Sequence, residues 1–135
     1  MRLPVVMLLA LTHLGCSGGL PECVPAISAD CAPLYPPTYD NVYDRTLLPS
    51  CGRSGAACHA TEGAQGDLVF ADRDDAYATL LEASRGLVKA GDDACSLLTV
   101  RIDAPEDADT MPPGRRLSTA ERCAIRRWIA EGAAR

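Results

Sequence analysis

The sequence predicts an all-α fold: about four helices joined by long glycine- and proline-rich loops. Three observations lead there. Beyond residue 38, apolar residues recur at i, i+3, i+4 spacing in separate stretches, and no strand-rich region or internal repeat interrupts them. Residues suited to capping helices stand before several of these stretches. Glycine and proline, 11 and 10 in the chain, fall mostly between them.

Each element can be justified in turn. Thr38 caps a first helix whose face is Tyr39, Val42, Tyr43, Thr46 and Leu47, and Pro49 is expected to end it. The loop 60–70 carries an apolar anchor, Leu68, Val69 and Phe70. Asp72 caps a second helix, expected over 73–85, with Asp75 in its first turn and Ala76, Tyr77, Leu80 and Leu81 as its face. Gly86 is placed to end it in the left-handed conformation. A third helix is expected over 94–102, where Leu97, Leu98, Arg101 and Ile102 keep helical spacing, although Val100 and Ile102 would also suit a strand. Pro105, Pro112, Pro113 and Gly114 make 103–117 a loop. Ser118-Thr119-Ala120-Glu121 reads as a capping box. The last helix then follows with Ala124, Ile125, Trp128 and Ile129 inward, and Gly132 as its stop. Arg122, Arg126 and Glu131 lie away from the centre of that stripe, and Cys123 sits off it.

The amino terminus is a different kind of segment. Arg2, a short apolar run from Val5 to Leu11 and a small-residue end read as a secretory signal over 1–15, too short to span a bilayer as a stable helix. Leu14-Gly15-Cys16 followed by Ser17-Gly18-Gly19 resembles a bacterial lipoprotein signal, in which Cys16 becomes the lipidated first residue; His13 stands where such signals usually carry leucine. That resemblance implies a lipid anchor and a periplasm-facing lipoprotein of the cell envelope, at the outer membrane. Residues 16–37, rich in Gly, Pro, Ser and Ala, read as a flexible tether, and 38–135 as the helical domain.

The chain holds seven cysteines. In an exported chain they tend to pair. With Cys16 lipidated six remain, which allow fifteen connectivities. Cys23 with Cys31 and Cys95 with Cys123 are the expected pairs. The net charge of −5 argues against a nucleic-acid partner. Asp103, Glu106, Asp107 and Asp109 precede Arg115, Arg116, Arg122, Arg126 and Arg127. These read as two solvated faces in preference to a docking patch for a redox partner.

Once the signal is removed, His59 and Met111 are single residues of their kind. Haem iron in electron-transfer cytochromes commonly takes one of each. His59 follows Cys58 directly, and Met111 heads a loop stiffened by Pro112 and Pro113. Trp128 would belong to a core that includes the cofactor. Zinc at Cys51, Cys58 and His59 lacks an obvious fourth ligand. No paired carboxylates, Ser-His-Asp set or phosphate-cradling loop can be placed, so the chain is expected to be no enzyme.

Cys58-His59, Ser96-Leu97-Leu98, Met111-Pro112-Pro113-Gly114 and Trp128-Ile129-Ala130-Glu131-Gly132-Ala133 come in the order found in small c-type cytochromes. Over about 38–134 the chain is similar to the cytochrome-c-like domains of exported bacterial lipoproteins. The resemblance implies haem c, electron transfer with a redox protein partner, and axial ligands His59 and Met111. It departs at CGRSGAACH: the family has two residues between its cysteines, whereas six separate Cys51 from Cys58. Three outcomes stay open: both cysteines attach haem, Cys58 alone attaches it, or the two form a disulfide. The alternative function is a haem-free envelope lipoprotein on the same scaffold, stapled by three disulfides and serving a binding or structural role.

Overall fold

The computed structural model describes residues 19–53, 58–105 and 109–135. Cys16 and the signal stretch lie outside the described residues, as do Glu106 and Asp107.

Among the described residues there are four α-helices and no strand; the architecture is all-α, as expected. Helix α1, Tyr39–Val42, opens on Thr38, whose hydroxyl accepts from the Asn41 N–H. It does not stop before Pro49. It widens into a π-helical segment, Tyr43–Gly52, that contains this proline. In an α-helix Pro49 would remove an N–H and press its ring on the carbonyl four residues back. The wider turn bonds five residues apart instead, as Arg53 N–H to Leu48 O does at 2.9 Å. The chain thus keeps its direction as far as Cys51.

Helix α2, Arg73–Leu80, is capped by Asp72, whose carboxylate accepts from the Asp74 and Asp75 N–H groups at 2.8 and 3.0 Å. The expected single helix 73–85 is broken after Leu80, resumes as a 3-10 turn, Ala83–Arg85, and ends on Gly86 at φ 60°. Helix α3, Leu97–Asp103, begins later than expected. Ser96 is buried, and its hydroxyl bonds Asp92 O at 2.6 Å and receives the Lys89 N–H at 2.8 Å. Helix α4, Thr119–Ala130, has both halves of the capping box between Ser118 and Glu121.

The main core gathers α1, the π segment, α2 and α4. Tyr39 is fully buried against Trp128, with ring centroids 5.5 Å apart, and its hydroxyl donates to Arg73 O at 2.7 Å. Tyr43 donates to Phe70 O at 2.7 Å, tying the π segment to the loop that returns from His59. Gly52 lies so close to Phe70 that a Cβ there would stand 2.9 Å from the Phe70 Cβ.

From residue 19 onward, the segment expected to be a flexible tether is pinned to the helices. Val24 N–H donates to Ala94 O at 3.0 Å and Leu34 N–H to Ala120 O at 3.0 Å. Two disulfides hold it, Cys23–Cys95 and Cys31–Cys123. Both expected pairings, Cys23 with Cys31 and Cys95 with Cys123, are therefore corrected. The reason is the course of the segment: it runs across the approach to α3 and then along α4, meeting one cysteine at each. The bridges close separations of 72 and 92 residues, each restricting the unfolded chain by about 4–5 kcal/mol on the loop-entropy model.

The arginines do not form a purely solvated face. Arg126 is 6% exposed. It binds the Asp93 carboxylate through Nε at 3.0 Å, reaches the Asp103 carboxylate, and donates to Pro25 O at 2.6 Å. Arg122 and Arg116 also meet Asp103, at 2.9 and 3.5 Å. Part of the acidic stretch thus folds back on the arginines that follow it.

Candidate functional site

A cavity of about 490 Å³ opens between the π segment, the 58–70 loop, α3 and the proline loop. That volume lies within the range of small-molecule and cofactor sites. Leu47, Leu68, Phe70, Leu80, Leu97, Leu98 and Leu117 make most of its wall. Among the described residues its charged lining is Arg85 and Arg101, with no Asp or Glu. Cys51, Cys58, His59 and Met111 all line it.

His59 is held at three points. Its N–H donates to Cys51 O at 3.2 Å, and its carbonyl accepts from the Phe70 N–H at 2.8 Å. Its ring Nδ1 lies 3.1 Å from Leu68 O. A carbonyl oxygen can only accept, so Nδ1 carries a proton, and in the neutral ring the lone pair is on Nε2. The ring also packs edge-on against Phe70, with centroids 5.6 Å apart. In a metal-binding histidine, a bond of this kind from the ring nitrogen facing away from the metal fixes the tautomer and raises the basicity of the other.

Cys51 ends the π segment, and Cys58 directly precedes His59. Both are unbonded and half-buried. Burial, with the neighbouring Cys58 as a smaller contribution, pushes the Cys51 thiol from 9.0 up to about 12, so it stays protonated at neutral pH. The third disulfide of the haem-free alternative is absent. Among the described residues, no three His, Cys, Asp or Glu side chains gather as a metal-ion site, so the zinc arrangement is not assembled. Met111 is anchored by its N–H, which donates to Arg101 O at 2.7 Å. Pro112 and Pro113 continue the wall beside it.

Trp128 stands apart from this group. It is not among the lining residues; it is buried against Tyr39, and its indole N–H donates to Ala134 O at 2.7 Å. The core cluster that holds Trp128 also includes Leu47, Leu68, Phe70, Leu80, Ile102 and Leu117 of the cavity wall, so core and cavity are continuous although Trp128 itself does not line the cavity. Sequence reasoning missed Arg85 and Arg101 as lining residues. Nothing in their local pattern separates them from solvated arginines.

The residues present suit a flat apolar cofactor carrying a metal. The walls are mostly hydrocarbon, one imidazole nitrogen is free, a thioether shares the cavity, and two thiols border it. Fold and site together define a small helical domain with a largely apolar chamber bordered by one histidine, one methionine and two cysteines. Residues 56–115 match the family model described as Planctomycete cytochrome C, which supports a cytochrome-c-like domain over that segment. The matched segment includes Cys58, His59 and Met111, and it begins after Cys51. No curated protein and no solved structure matches the chain.

Proposed function

We propose that this chain is a membrane-tethered cytochrome that binds one haem and passes electrons to a redox protein partner. In this reading Cys16 carries the lipid and the domain faces the periplasm from the outer membrane. One observation carries the cofactor assignment: Cys51, Cys58, His59 and Met111, spread across much of the chain, border the same cavity. Bound there, a haem supplies the one-electron couple that the side chains lack.

The chain's own contribution is position and environment. Leu68 O accepts from the His59 Nδ1–H, which would leave Nε2 to hold the metal. The Met111 thioether is a soft ligand that favours the reduced metal and raises the potential. Leucine walls exclude water, which keeps the local dielectric low. Cys58 supplies a thioether beside the ligand histidine. The Cys51 thiol borders the same cavity and would supply a second.

The test is expression in a bacterium with an active cytochrome c assembly system, followed by acid–acetone extraction and a pyridine haemochrome spectrum. Haem is expected to stay with the protein, and the band position then separates one thioether from two. Colourless protein, with Cys51 and Cys58 both recovered as thiols or as a disulfide, would overturn the reading.

A further inference from the structure

Arg101 grips the methionine loop at two points. Its backbone carbonyl, on α3, accepts the Met111 N–H at 2.7 Å. Its guanidinium Nη1 donates to Asp109 O at 3.0 Å and lies 4.0 Å from the Asp109 carboxylate. The two anchors are thus two loop residues apart, and the side chain that makes the second also lines the cavity.

Pro112 and Pro113 have no N–H, so the Met111 amide is the last backbone donor before Gly114. A thioether is a weak ligand, and its residence at a metal depends on how little the backbone behind it moves. We infer that Arg101 is a positioning residue: it holds Met111 at the cavity through the Asp109 and Met111 backbone. This rests on the proposed ligation by Met111. It adds a residue that touches the loop and need not touch the metal.

Arg85 provides the control. It lines the same cavity and carries the same charge, but its guanidinium donates to the Gly66 and Asp67 carbonyls, away from the methionine loop. The experiment uses the haem-loaded full chain as wild type, Met111→Ala, Arg101→Met, Arg101→Lys and Arg85→Met. Two quantities are read. One is the sulfur-to-iron charge-transfer band of the oxidised protein and the imidazole concentration that abolishes it. The other is the exchange rate of the Met111 amide in the haem-free chain.

Arg101→Met is expected to lose the band at roughly tenfold lower imidazole and to exchange the Met111 amide roughly tenfold faster, the scale of one charge-assisted hydrogen bond. Arg101→Lys, which keeps the charge and a single donor, shifts both in the same direction by less. Arg85→Met moves neither. Wild-type behaviour in both Arg101 variants overturns the inference, as does an equal shift in Arg85→Met, which would mean a general effect of cavity charge. A wild-type protein without the band, indistinguishable from Met111→Ala, removes the ligation reading separately. The amide exchange rates then decide the grip by themselves, and unchanged rates overturn it.

Discussion

Arg126→Met removes the most interconnected charge in the domain. The substitution keeps the apolar stem in place and deletes only the guanidinium. Four bonds are lost: two to the Asp93 Oδ2, at 3.0 and 2.5 Å, one to the Asp103 carboxylate, and one to Pro25 O at 2.6 Å. The two carboxylates are not left in equal positions. Asp103 keeps Arg122 at 2.9 Å and Arg116 at 3.5 Å. Asp93 is 8% exposed and keeps the Ile27 N–H at 3.1 Å. The cost is therefore concentrated on Asp93. Breaking a buried pair from one side costs about 3–5 kcal/mol. The lower half of that range is expected, because Asp103 stays paired. At about 4 °C per kcal/mol for a domain of this size, Tm falls by about 12–16 °C. The assay is thermal and urea unfolding with both disulfides intact. Asp93→Asn placed in the Arg126→Met background should recover much of the loss, since it removes the stranded charge. A loss below about 1 kcal/mol, or no recovery in the double variant, would refute the reasoning.

Further outcomes follow from other sites. Gly52→Ala places a Cβ 2.9 Å from the Phe70 Cβ and 3.3 Å from a Leu48 methyl, and Phe70 cannot yield without moving its backbone. An overpacking cost of about 1–3 kcal/mol is expected in urea unfolding. In the haem-free, unmodified chain, the raised Cys51 thiol stabilises the fold fully below pH 9, where the unfolded thiol is also protonated. As pH rises from 9 towards 12, the unfolded state loses that proton and the native state does not, so stability falls by up to about 4 kcal/mol. Buried Tyr39 is also raised, by desolvation, and adds its own alkaline loss. The difference between wild type and Cys51→Ala in unfolding series across this pH interval isolates the thiol; parallel curves would remove it. Ser118→Ala breaks one half of the capping box and should cost about 1 kcal/mol, measured by the same unfolding series.

The caps were readable because each is settled within a few residues. Thr38 to Asn41, Asp72 to Asp75 and Ser118 to Glu121 are bonds across three positions, so residue type and spacing suffice. The His59 and Met111 candidates were readable for a different reason, since each is the single residue of its type beyond residue 15. Pro49 misled because its local rule is a rule for α-helices, and the chain adopted a wider turn that accepts it. Arg126 misled because it lies off the apolar stripe of α4 and yet is covered by a segment a hundred residues earlier in the chain.

By itself, the sequence determined the helical class, three of the helix starts and the inventory of chemistry: one histidine, one methionine and a surplus of cysteines beyond residue 15. These depend on periodicity and on short-range hydrogen bonds, which each stretch carries with it. Only the tertiary structure decided which cysteines meet, where the supposed tether lies, that Trp128 packs away from the cavity, and that Arg85 and Arg101 line it. Those outcomes depend on where distant segments cross. The energy that selects a crossing comes from burial and ion pairing across the whole domain, and no local pattern records it.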